Sequence, residues 1–201
     1  MTTIRGPEFS FNGSTGGFKQ VQVTERGRLA VYSESQSSTT FSAIEGDAYN
    51  ITTGVLSGIS TADSALLYFK YLDDGILIVD SLIVGIDDAD ANNPQLITLL
   101  RNPTAGTIVS DASAATIANR NFASSNELTN SLIYKAAAPD AETFTDGDTF
   151  GIFYANDNSR LYAELDLVMK KGSSLGVKIS PALASGNLDC YVALVCHKVD
   201  V

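Results

Sequence analysis

Residues 65–84, ALLYFKYLDDGILIVDSLIV, constrain the fold more than any other part of this chain. Two apolar runs flank Leu72-Asp73-Asp74-Gly75. An Asp-Gly pair between apolar runs is a strong hairpin signal, because the turn needs positive φ and glycine reaches it without steric cost. Both runs are rich in β-branched, aromatic and aliphatic residues and contain neither proline nor glycine. Apolar side chains occupy both faces, which predicts strands inside a sandwich rather than at its margin.

Strand-like runs recur through the rest of the chain, over 28–33, 39–44, 47–53, 95–101, 107–110, 131–136, 149–154, 161–169, 174–180 and 188–198. Turn residues separate them, among them Glu45-Gly46-Asp47, Asn102-Pro103-Thr104-Ala105-Gly106, Thr145-Asp146-Gly147-Asp148 and Lys171-Gly172-Ser173. The alanine-rich segment 110–121 reads as an ordered loop, with one helical turn as the alternative. The pattern predicts an all-β protein, an antiparallel β-sandwich of jelly-roll type over residues 28–201. An extended N-terminal arm, residues 1–27, precedes it. In the last run Cys190, Val192, Leu194 and Cys196 share one face and Tyr191, Ala193, Val195 and His197 the other. Neither face is polar before His197, so this strand is expected to be central.

Length and composition fit one such domain. The chain has 201 residues, 44% of them hydrophobic and only 18% charged, and its net charge is −10. No basic residue lies between Lys70 and Arg101, a stretch holding Asp73, Asp74, Asp80, Asp87, Asp88 and Asp90. Nucleic acid is not an expected partner, since it is bound by a basic stripe. Residues 1–12 contain no apolar core of a secretory signal, and the apolar run 76–84 is too short to cross a bilayer as a helix, so no membrane association is expected. Cys190 and Cys196 stand about 20 Å apart along one strand and cannot bridge. They read as core residues of a protein made in a reducing cytoplasm.

Motifs that carry chemistry are few. Gly172-Ser173-Ser174-Leu175-Gly176 matches the nucleophile-elbow pattern, with Asp189 and His197 following in hydrolase order. That mechanism needs a strand-to-helix turn, and Val177 to Pro181 reads as a strand, so Ser174 is expected to be a turn residue and the protein no enzyme. His197 is the only histidine, which excludes multi-histidine metal centres. In the acidic segment, Asp88, Asp90 and Asn92 fit the first three ligand slots of a calcium loop. Asn93 replaces its glycine and Leu99 stands where its glutamate belongs, which excludes an EF-hand and leaves an irregular calcium site open. No cofactor is expected. Tyr49, Tyr68, Tyr71, Tyr154 and Tyr162 read either as a carbohydrate platform or as tyrosines at the core margin.

Five segments taken together carry a family likeness: Tyr49-Asn50-Ile51-Thr52-Thr53-Gly54, Arg101-Asn102-Pro103-Thr104-Ala105-Gly106-Thr107, Asn119-Arg120-Asn121-Phe122, Lys171-Gly172-Ser173-Ser174-Leu175-Gly176-Val177 and Tyr191-Val192-Ala193-Leu194-Val195-Cys196-His197. In this order, over about residues 45–198, the chain resembles small virion structural proteins of tailed bacteriophages. The resemblance implies a non-enzymatic particle component assembled in the bacterial host cytoplasm. The expected role is capsid decoration, a cement protein bound to neighbouring major capsid subunits. Alternatives are a tail or fibre component, or a lectin-like module for host glycans. Self-association, as a homotrimer, is expected. The arm carries only three large apolar residues, Phe9, Phe11 and Phe18. Each contributes roughly 2–3 kcal/mol when buried, whereas ordering the backbone costs roughly 1–2 kcal/mol per residue. The arm is therefore expected to pack on another subunit or the capsid, with added backbone hydrogen bonds.

Overall fold

The two runs flanking Asp73-Asp74-Gly75 do not pair with each other. In the computed structural model the described residues are 38–60, 62–88, 94–111, 113–137, 140, 142–156, 159–182 and 187–199. All belong to one compact unit, Ser37–Val201. The elements are α1 (Ser38–Glu45), β1 (Ala48–Thr52), β2 (Leu56–Ile59), β3 (Ser64–Tyr71), β4 (Ile76–Asp88), β5 (Gln95–Arg101), α2 (Thr107–Asp111), β6 (Ser113–Ala114), β7 (Thr116–Asn119), β8 (Ser131–Lys135), β9 (Asp148–Ala155), β10 (Ser159–Lys170), β11 (Ser174–Ser180) and β12 (Leu188–Val199). They form two antiparallel sheets. The first runs β10-β4-β12-β1-β7, with β2 also on β12; the second runs β6-β8-β3-β11-β5-β9. The expected all-β antiparallel sandwich is what the chain forms.

The Asp-Gly turn thus carries the chain from one sheet to the other. Gly75 has φ +106, as the turn requires, but β3 lies between β8 and β11 while β4 lies between β10 and β12. Leu67, Phe69 and Tyr71 of β3 and Leu77, Val79, Leu82 and Val84 of β4 join one buried cluster between the sheets. Apolar runs of this kind are satisfied by facing each other across a core as well as by pairing, so the sequence signal for the turn says nothing about the partner. The connection is held by ion pairs of Lys198 with Asp73 (2.6 Å) and Lys171 with Asp74 (2.8 Å).

Numbering β1, β3, β4, β5, β9, β10, β11 and β12 from one to eight, the sheets read 1-8-3-6 and 2-7-4-5. β12 is central, as expected. Its inner face, Leu188, Cys190, Val192, Leu194 and Cys196, is buried in the core. Both cysteines are free. Burial, with Asp189 adding to it, pushes the Cys190 thiol up to about 12; burial raises Cys196 as well.

Two segments expected as strands are helices. Thr39 to Ile44 lies in α1, which stops at Gly46, at φ +85, where the amides of Gly46 and Asp47 donate to the carbonyls of Ala43 and Ser42. A left-handed glycine closes a helix in this way. Thr107 to Ser110 lies in α2. Its β-branched residues favour a strand, yet burial of Ile108 against Ala65 and Tyr68 on the outer side of the second sheet selects the helix. Local propensity yields to tertiary packing here. Segment 110–121, expected as a loop, contributes β6 and β7, and β2 has no counterpart in the expected set. The arm over 1–27 and the run 28–33 lie outside the described residues.

Candidate interaction surface

A sheet edge presents unpaired backbone donors and acceptors, and folded proteins blunt such edges with short strands, charges or bulges. Among the described residues the edge strands β2, β6 and β7 are only 4, 2 and 4 residues long. β10 is long and exposes Tyr162 and Val168, but Arg160, Glu164, Asp166 and Lys170 stand among them on its exposed side. A bulge interrupts it between Glu164 and Leu167, and Asp166 has φ +47. β9 differs. It spans 8 residues at the end of the second sheet, and Thr149 to Ala155 contains no charge. Its one acid, Asp148, pairs with Arg101 at 2.9 Å.

β9 also turns a stripe of large apolar side chains outward. Phe153 and Ala155 pack into the core, whereas Ile152 and Tyr154 are 56% and 67% exposed. Phe150 is 51% exposed, at a bulge opposite Leu99 and Leu100. From Gly151 to Ala155 the strand is in unbroken register with Leu99 to Gln95. Half-buried Leu96, opposite Tyr154, extends the stripe onto β5. An uncharged edge with an apolar stripe lacks the charges and bulges that blunt the other long edge strand, β10.

The residues singled out for chemistry are scattered. Ser174 opens β11 in the second sheet, its hydroxyl donating to the Pro103 carbonyl at 2.7 Å and its amide to Asn102 Oδ1 at 3.2 Å. His197 and Asp189 belong to β12 in the first sheet, and Asp189 accepts from the Gly58 amide at 3.3 Å. The hydrolase order in the sequence is therefore not assembled in space. His197 instead pairs with Asp80, Nδ1 to Oδ2 at 3.0 Å. The bulge that sets Val195 opposite Ser81 and Cys196 opposite Val79 leaves Asp80 as the extra residue of β4 and directs it to the ring. The imidazole is buried, and its Nε2 has no partner among the described residues. Sequence reading missed this pair, because a bulge leaves no mark in the alternation of β4.

Tyr49, Tyr68 and Tyr71 are buried, whereas Tyr154 and Tyr162 are exposed on strands of different sheets, so the five form no single platform. Burial, helped by Asp47, pushes the Tyr49 phenol up to about 12. Phe9, Phe11, Phe18 and the calcium-like segment 89–93 lie outside the described residues. Of its flank, Asp87 is exposed and Asp88 ends β4. Asp146, the other acidic turn, ties its loop by accepting from the Thr104 hydroxyl and the amides of Thr104 and Ala105. Among the described residues no helix is long and apolar enough to cross a membrane.

Acid should loosen the crossing turn. The hydrogen bonds from Lys198 and then Asn130 hold the Asp73 carboxyl below its usual 3.8. A lowered folded-state pKa gives stability that is complete above the unfolded value and lost as pH falls through the folded one. Thermal melts from pH 7 down to pH 2 are expected to show wild-type stability falling below about pH 4. Asp73→Asn should start lower at pH 7 and converge with the wild type in acid; a constant offset at every pH would contradict this.

No family model matches the chain, and no curated protein matches it. Among solved structures, a chain from the cryo-EM structure of Mud Crab Dicistrovirus aligns at 12% identity with a TM-score of 0.25, covering 100% of this chain and 90% of the other. A likeness at that TM-score carries no argument about fold or function.

Proposed function

We propose that this protein is a non-enzymatic structural component of a bacteriophage virion, and that it decorates the capsid as a cement protein. The observation that carries the reading is the strand order. We read the orders 1-8-3-6 and 2-7-4-5, with β2, β6, β7 and β8 as additions, as fitting an eight-stranded jelly roll of two Greek keys, an architecture used by viral capsid proteins, lectins and cupins. Architecture alone does not specify function. The cupin branch fits poorly, because the one histidine is buried against Asp80 rather than grouped with others. The likeness to tailed-phage structural proteins favours the virion branch. The edge of β9, which no other described strand pairs with, fits a protein that works by contact with other subunits.

The role implies self-association, with a trimer suited to threefold positions, and contact with the major capsid protein. A tail or fibre position would use the same surface. A lectin-like role would use the same fold, with Phe150 and Tyr154 of β9 as its exposed aromatics. Quantitative mass spectrometry of purified particles from the host that makes this chain tests the proposal. Hundreds of copies per particle, lost with capsids and not with isolated tails, are expected. A few to tens of copies that follow the tails would replace decoration by a tail role, and absence from particles would overturn the virion reading.

A further inference from the structure

We infer that β9 is an acceptor edge for the N-terminal segment of a second copy of this chain, which adds to the second sheet as a further strand. The inference goes beyond the virion role and does not depend on it. Three observations select this occupant.

The first is charge. Residues 1–37 hold four basic side chains, Arg5, Lys19, Arg26 and Arg28, against three acidic ones, Glu8, Glu25 and Glu34, a net of +1. The remaining residues hold nine basic against twenty acidic, a net of −11. Pairing β9 with β9 of another copy would set two strongly acidic bodies edge to edge, whereas the near-neutral N-terminal segment adds almost no like charge at the edge it joins.

The second is pattern. Phe9 and Phe11 are two residues apart, so in an extended strand they share one face. Ile152 and Tyr154 repeat on the same period, next to Phe150. A strand added beside β9 can set its phenylalanines against that stripe while its backbone bonds to the open edge, the β-augmentation mode of recognition.

The third is position and reach. The segment of 37 residues preceding Ser38 can extend to about 120 Å, several times what a neighbouring subunit requires. It enters the folded unit at α1, which packs on β1 and β12 of the first sheet. The acceptor stripe belongs to the second sheet. A segment from a neighbour reaches that stripe without wrapping around its own sandwich.

Single-cysteine additions distinguish the occupants, because native Cys190 and Cys196 are buried. Full-length Phe9→Cys or Phe11→Cys protein, carrying a size tag, is mixed with untagged Ile152→Cys protein and oxidised. A tagged–untagged disulfide species is expected, and Phe9→Ser with Phe11→Ser, or Ile152→Asp alone, should shift the light-scattering mass to that of the monomer with the melting temperature kept within a few degrees. Crosslinking of Ile152→Cys only to itself would overturn the inference in favour of body-to-body pairing. A disulfide formed only within one chain of the Phe11→Cys, Ile152→Cys double variant would overturn it in favour of the chain's own segment. Wild-type protein that is monomeric, with no crosslink in any mixture, would overturn it outright.

Discussion

Phe69→Ala is expected to destabilise the folded unit by about 3–5 kcal/mol, the range for truncating a buried phenylalanine. Phe69 sits in the middle of β3, between Leu175 of β11 and Ile133 of β8, and its ring is fully buried in the cluster between the sheets. β8, β3, β11 and β5 of the second sheet and β10, β4, β12 and β1 of the first all contribute to that cluster, so little can collapse into the space left behind. The cost combines lost transfer energy with an unfilled cavity, and interiors packed like crystals relax only in part. For a unit of this size it corresponds to a drop in melting temperature on the order of 10 °C. Phe122→Ala removes the same side chain from a position 99% exposed and should change stability by less than about 0.5 kcal/mol. Calorimetry on the two variants checks the pair; comparable losses would show that the sandwich core is not where stability resides.

Gly106→Ala is expected to be nearly as damaging, by a different route. Gly106 precedes α2 with φ +133, where side chains are strained whatever the space. A Cβ there would stand 2.1 Å from the Thr143 carbonyl oxygen and 2.8 Å from the Phe144 Cα, both backbone atoms that cannot swing aside. Relief requires the segment carrying Phe144 to move, which would pull its ring from Tyr68 and from Gly176, the glycine that leaves room for it. Strain of this kind costs about 1–3 kcal/mol before the displaced packing is counted. Gly172→Ala, also at positive φ but with nothing within 4 Å, should lose only the strain, about 1 kcal/mol. Equal melting temperatures for the two variants would contradict this account. The comparison also separates α2 and its outer cluster from the main core, since loss of near-ultraviolet tyrosine signal should accompany Gly106→Ala more than Gly172→Ala.

The Asp80–His197 pair illustrates how far reading along the chain reaches. His197 is legible as the outward residue that ends the alternation of β12, and Cys196 as its inward neighbour, because side-chain period in a strand is local. Asp80 lies 117 positions away. It meets the ring only because β4 gains one residue relative to β12, and such a slip is decided by the fit of two strands to one core.

Local rules on their own determined the β class, the positive-φ turn at Gly75, the inward face of β12 with its two free cysteines, and a strand in place of a helix after Ser174. Each depends on periodicity, glycine freedom or turn chemistry within a few residues. Tertiary structure alone decided that β3 and β4 join opposite sheets, that 38–45 and 107–111 are helical, and that β9 lies at an edge. Thr149 to Ala155 is apolar on both faces, so in sequence it reads like a strand buried on both sides. Which of its faces meets water depends on the strands hydrogen-bonded beside it, and those come from segments dozens of residues away, whose pairing is chosen by the burial of the whole core rather than by any one run.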